Sequence, residues 1–173
     1  MKNKKGLIIA IVSILCLVLI VSYFALFKSN KTNNKNLNTK VKLTTNYSMF
    51  FTVSGCINTY YSYVGKLDGE NVIKLLNSDY IKNNKINKNN VFDKITSYEN
   101  NIVTFKAKKM YEAMLNSKIT IYYVYGDVYL TTVQGDKKTG DAYLEVRIDN
   151  SNRLFDITPI NKDFYEEVIN GQN

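Results

Sequence analysis

The sequence predicts an α+β domain carried behind a single membrane-spanning helix, and three observations predict it. Residues 6–27 (GLIIAIVSILCLVLIVSYFALF) run 22 positions without a charge. Apolar side chains then recur at spacings of three and four from 47 to 64. From Val103 onward the period shortens to two, the repeat of a strand with one buried face.

As a helix the N-terminal run spans about 33 Å, enough for the hydrocarbon core of a bilayer. A cleaved signal peptide fits poorly, because the apolar run is too long and no small-x-small site follows it. A lipoprotein site fails as well: Ser13, Ile14 and Leu15 put a bulky leucine directly before Cys16. Cys16 therefore reads as a small apolar membrane residue. Lys2, Lys4 and Lys5 stand on one side of the run, and Lys28, Lys31, Lys35, Lys40 and Lys42 on the other. The short basic start matches a signal-anchor, and large downstream domains translocate with little regard for charge, so the N-terminus is placed inside. The expected layout is a cytoplasmic tail (1–5), a transmembrane helix (6–27), a flexible Lys/Asn-rich stalk (28–45) and a soluble α+β domain (46–173). The last is expected outside the cytoplasm, at the cell envelope.

Charge sharpens this division. The 173-residue chain carries 23 Lys and Arg against 15 Asp and Glu, a net +8, and eight lysines before Asn46 account for all of it. From Asn46 onward basic and acidic side chains balance, which lacks the footprint of a nucleic-acid binder. The stalk lysines suit a solvated linker or contact with anionic headgroups. The two cysteines, Cys16 and Cys56, fall in different regions, so no intramolecular disulfide is expected.

The elements of the domain follow in order. Phe50, Val53, Ile57, Tyr60, Tyr61 and Val64 share one face of a long first helix that Gly65 to Gly69 stops. A shorter helix is expected in GENVIKLLNSDY, with Asp68 as its cap. The Asn-rich stretch after it, with Ile81, Ile86, Val91, Phe92 and Ile95, reads as short helical turns. Val103, Phe105 and Ala107 then alternate with Thr104, Lys106 and Lys108, as a strand does. Next comes a long strand through Ile119, Ile121, Tyr123 and Tyr125, with Gly126-Asp127 as a bulge or bend before Val128 and Leu130. GDKKTGD, 135–141, reads as a loop, followed by a strand through Ala142, Leu144, Val146 and Ile148. DNSNR is a hairpin connection to LFDIT, and Pro159, the sole proline, ends that last strand. Helices before a run of antiparallel strands imply helices packed on one face of a curved sheet.

A long helix, a short one with VIKLLNSDYI, a long bent strand and a closing RLFDITPI resemble the cone-shaped fold of nuclear transport factor 2-like proteins. Residues 51–160, with INTYYSYVGKLDGENVIKLLNSDYI, the Lys109-Met110-Tyr111 segment and YYVYGDVY, resemble membrane-anchored proteins of clostridia and related low-GC bacteria. The resemblance is one of core positions, with no catalytic signature, and a fold of this kind serves enzymes, binding modules and scaffolds alike.

The absence of histidine excludes Ser-His-Asp, Cys-His and His-ligated metal chemistry and removes the commonest base near neutral pH. No GxxxxGK[ST] or GxGxxG run is present. No catalytic, metal or cofactor residue is assigned. Asp127, Asp141, Glu145 and Asp149 could pair as carboxylates if two faced one cavity, though a bulge role for Asp127 and turn roles for Asp141 and Asp149 are the preferred reading. Cys56 reads as a buried small hydrophobe. Tyr60, Tyr61, Tyr123 and Tyr125 fall on the expected inward faces, where they fill the core or line the mouth of a cone. Tyr122, Tyr143, Glu145 and Arg147 are placed together on an outer face that helices leave open, a composition suited to a protein partner or a second copy of the chain. The preferred role is a non-enzymatic interaction or scaffold domain at the cell envelope; a short tail, one membrane helix and a cone-like domain are similar to bitopic scaffold subunits of type IV secretion machines. The alternative is a small-molecule-binding or hydrolase-like cone with a carboxylate-lined cavity.

Overall fold

The computed structural model describes residues 40–98 and 101–171. The expected cytoplasmic tail, membrane helix and stalk up to residue 39 lie outside them. Among the described residues no helix is long and apolar enough to cross a membrane.

Helix α1 (Tyr47–Gly65) starts where Asn46 Oδ1 accepts from Met49 N at 3.2 Å. It buries Val53, Ile57, Tyr60, Tyr61 and Val64, the expected stripe. The chain leaves it through Leu67 at φ 55, and Asp68 caps α2 (Gly69–Leu75) by accepting from Asn71 N at 3.2 Å. The single second helix read from GENVIKLLNSDY is two helices. Leu76 is extended and bridges Ile157, and Asn77 N donates to Ile157 O at 2.9 Å. The Asn77 side chain then caps α3 (Ser78–Asn83), accepting from Asp79 N and Tyr80 N. Asn competes for backbone donors better at a helix start than inside one, so the chain breaks there. A single turn, α4 (Val91–Lys94), follows.

The strands are β1 (Lys42–Leu43), β2 (Ile102–Met114), β3 (Ile119–Thr132), β4 (Gly135–Asp149) and β5 (Phe155–Ile160). They form one open antiparallel sheet in the order β1-β2-β3-β4-β5. Helix α5 (Lys162–Asn170) ends the described chain, capped by Asn161, whose Oδ1 accepts from Phe164 N at 2.7 Å. The protein is thus an α+β domain.

Several expectations need correction. Lys42 and Leu43, inside the stretch read as stalk, are a strand because β2 offers them a partner at Glu112 and Tyr111. Residues 135–141 are strand, not loop: the turn is Val133-Gln134, and Gly135 takes φ 109 beside it. Pro159 lies within β5, opposite Leu144, on an outer strand that tolerates its missing N–H. Gly126-Asp127 is unbroken strand, paired in register with Ala142 and Asp141. Gly126 is required there because the Phe105 ring occupies the space a Cβ would need. The bulges sit in the neighbouring strands, at Lys108 between Ala107 and Lys109 in β2, and at Thr139 between Lys138 and Gly140 in β4.

The faces differ most. Directly opposed residues of an antiparallel pair share a face, and Tyr122 opposes Val146 while Tyr123 opposes Glu145. Tyr122, Val124 and Val128 therefore join Leu144, Val146 and Ile148 in the core under α1–α4. Ile121, Tyr123 and Tyr125 face the other way, where α5 covers them with Tyr165, Val168 and Ile169. Helices occupy both faces of the sheet, not one. Both sets of β3 side chains are apolar because both faces are covered, and that removes the contrast from which parity is read.

Candidate functional site

The side of the sheet that carries α5 has two parts. Under the helix, Tyr165 is buried among Tyr111, Tyr125 and Tyr143, with ring centroids 6.3, 6.4 and 5.2 Å away, and Tyr125 stacks on Tyr143 at 5.0 Å. Beyond it, toward the β3–β4 turn, the same face carries a network of charges. Asp127, only 5% exposed, accepts on Oδ1 from Lys108 Nζ at 2.7 Å and Lys138 Nζ at 2.8 Å. Lys138 also reaches Asp141 Oδ1 at 2.7 Å. Tyr129 donates its hydroxyl to Asp127 Oδ2 at 3.3 Å, and Lys106 lies 4.3 Å over the Tyr129 ring and 3.5 Å from Asp136.

The two bulges build this network. A bulge adds one residue to one strand and re-aims its side chain. The extra residue of β2 is Lys108 itself, and the extra residue of β4, Thr139, adjoins Lys138, so both amino groups converge on the in-register Asp127. The Lys108 bulge also flips the alternation of β2, which sends Phe105 and Met110 to the core under α1 and Tyr111 and Ala113 toward α5. The break from Phe105 and Ala107 to Met110 is visible in the sequence as an interrupted alternation across Lys108-Lys109, and it is the signal by which this site could have been found.

Of the four carboxylates considered, the sheet brings Asp127 and Asp141 side by side and separates the others. Glu145 is buried and accepts from Arg147 Nε at 2.7 Å, under α5, while Asp149 holds the β4–β5 turn through Ser151. The hydrogen bonds from Lys108 and then Lys138 hold the Asp127 carboxyl far below the usual carboxylate range, so it stays ionised. The same bonds push Lys138 above the ordinary lysine value. An acid kept charged and two amines kept protonated make a clamp, with neither a proton donor nor a free base poised near neutral pH.

The tyrosines and the cysteine give the same result. Tyr60 and Tyr61 lie in the core under α1, where Tyr61 stacks on Phe105 at 5.8 Å, while Tyr123 and Tyr125 are on the opposite side of the sheet. The four line no common cavity. Burial pushes the hydroxyls of Tyr60 and Tyr61 well up and that of Tyr123 to about 12, and it raises the Cys56 thiol. A cleft of about 220 Å³ opens where Tyr60 and Tyr61 approach Lys94, Asp141 and Pro159. The proposed partner face is divided likewise: Tyr143, Glu145 and Arg147 share the α5 side, whereas Tyr122 is buried on the other. Among the described residues no three His, Cys, Asp or Glu side chains converge to hold a metal ion.

Residues with no role in the sequence reading are Lys108, Lys138 and Tyr165, together with Asn77, whose Nδ2 donates to Asp156 Oδ1 at 3.0 Å. Burial raises the Asp156 carboxyl, and the Asn77 bond partly offsets that. Beside the charge network, among the described residues 135–142 of β4 take strand pairing from β3 and none from β5, which pairs from Tyr143. Comparison with protein-family models, with curated proteins and with solved structures finds no match to this chain.

Proposed function

We propose that the chain is a membrane-anchored, extracytoplasmic interaction domain without catalytic activity, and that its partner is a protein docking beside the β3–β4 turn. The observation that carries this reading is the juxtaposition of an unpaired strand edge, residues 135–142, with the lysine and carboxylate clamp around Asp127. An open edge offers backbone donors and acceptors to an extended segment, and flanking charges select which segment pairs. The ion pairing of the adjacent carboxylates and, among the described residues of this network, the absence of a poised proton donor favour docking over turnover. A cone-like kinship with nuclear transport factor 2-like proteins belongs to the same proposal, supported by α1 lying along β2 with Asn58 bonded to Phe105. The small-molecule alternative is favoured less, because the two adjacent carboxylates, Asp127 and Asp141, are already ion-paired to lysines.

The test places a photo-crosslinking side chain in the full-length protein in cells, at Lys137 on the open edge or at Lys66 past the end of α1. The expected result is one discrete protein adduct at 137 that weakens in a Lys138→Glu background and is missing at 66. Equal labelling at both positions, or none at 137, overturns the reading. An alkaline-phosphatase fusion after Asn173 is expected to be active in cells, and an inactive one overturns the extracytoplasmic placement.

A further inference from the structure

We infer that the start of α1 and strand β1 form a second surface, one that lies against the anionic headgroups of the membrane. This rests on the reading of residues 6–27 as the anchor. Three large apolar side chains stand exposed within the first residues of the fold: Leu43 at 54%, Tyr47 at 81% and Phe51 at 73%. They lie together. Leu43 and Tyr47 line a groove of about 470 Å³ with Phe50 and Met110, and the Phe51 ring meets Phe50 edge-on at 6.4 Å. Tyr47 and Phe51 are four residues apart, hence on one face of α1. Ile102, Val133 and Leu154, also large, apolar and exposed, stand apart from one another at turns and strand ends.

The charges around this patch that lack an ion-pair partner among the described residues are basic. No acidic residue occurs in the sequence before Asp68, so the whole of α1 is free of them. The one acid beside β1, Glu112, is paired with Lys42 at 3.0 Å. Lys109 lines the groove, and neither it nor Lys40 has an acid within ion-pair distance among the described residues. A tyrosine and apolar side chains beside lysines without an acid partner are the composition that settles at a headgroup layer.

Chain length supplies the geometry. Fourteen residues, 28–41, separate the apolar run from β1. On the stalk reading of this stretch, a polar linker of that length would span roughly 20 Å root-mean-square. Such a tether would give the patch an effective concentration on the order of millimolar at a bilayer, where weak apolar and electrostatic contacts suffice.

The chain has no tryptophan, so Phe51→Trp introduces a single reporter into the full-length protein. It is reconstituted in phosphatidylcholine vesicles with or without phosphatidylglycerol, each with acyl chains brominated or not. The expected result is emission at shorter wavelength and quenching by brominated lipid in anionic vesicles, with quenching lost on Lys40→Glu, Lys109→Glu substitution through a drop in surface affinity of roughly tenfold. A Val133→Trp reporter at the distant turn is expected to remain unquenched. Equal behaviour of the two reporters in anionic vesicles overturns the inference, as does a Phe51→Trp reporter that is shifted but unquenched in both lipids, the sign of a second copy or another protein segment covering it. Alkaline carbonate extraction reads the anchor separately. A chain stripped from vesicles by carbonate yet quenched before extraction refutes the anchor and keeps the surface; a chain retained but unquenched does the reverse.

Discussion

The two faces of the sheet are built from alternate residues of the same strands, yet they are held by different forces. Under α1–α4 the side chains are aliphatic and sealed: Leu144 is 2% exposed, and Ile57, Val124, Val146 and Ile157 are wholly buried. On the other side an aromatic cluster under α5 gives way within two residues of β3 to the ion-paired Asp127. Dispersion and burial depend on how many atoms are packed and hardly on pH, while a clamp of charges depends on ionisation and salt. The first face should set whether the domain folds. The second should set how it responds to its surroundings.

The strongest way to break this comparison is to open the sealed face. Leu144→Ala removes atoms that nothing can replace and is expected to cost about 3 kcal/mol, read as a lower urea midpoint with an unchanged slope. A loss below about 1 kcal/mol would mean that this core is loosely packed. Tyr165→Ala on the other face should cost less, about 2 kcal/mol, because α5 can lift away locally while the α1 side stays intact. Near-UV circular dichroism should fall with little change in the far-UV signal. Tyr165→Phe sharpens the point: its hydroxyl is buried with no hydrogen-bond partner among the described residues, so removing it should leave stability equal or higher by about 1 kcal/mol.

The charge clamp is tested by pH. Because the carboxyl of Asp127 is held below its unfolded value, its contribution is fully present above that value, near 4. The contribution is lost as pH falls from there through the folded value. Wild-type stability should therefore drop more steeply below about pH 4 than that of Asp127→Asn, and the variant should already be weaker at pH 7. Parallel acid curves would show that the clamp contributes nothing. The smallest expected effect is Val133→Thr at the β3–β4 turn, where the side chain is fully exposed, and a change within about 0.5 kcal/mol is expected by thermal unfolding.

How much of this is legible in the sequence depends on contrast. Helix α1 is legible because Val53, Ile57, Tyr60, Tyr61 and Val64 keep helical spacing among polar neighbours, and Asp68 is legible as a cap before Gly69-Glu70. The faces of β3 are not, because Ile121, Tyr122, Tyr123 and Val124 are all buried and alternation vanishes when both sides are covered. GDKKTGD has the composition of a loop and becomes a strand because the fourteen residues of β3 lie ready to pair with it. Helix α5 has a signal of its own, absent from the expected elements: Asn161 before Lys162, then Tyr165, Val168 and Ile169 at helical spacing. The clamp depends on two bulges that bring together residues far apart in the chain, and local pattern does not encode register.

The carboxamide of Asn58 has a further consequence. Its Oδ1 accepts from Phe105 N at 2.8 Å and its Nδ2 donates to Phe105 O at 3.0 Å, the two bonds a neighbouring strand would make. A helix side chain thus takes the outward backbone pair of Phe105 on β2, while Asn77 N takes Ile157 O on β5. Strand β1 is two residues long, and among the described residues the first half of β4 is an extended edge on which β5 does not pair. Two copies that met there would cover it in each other, and an added segment from another chain would do so alone.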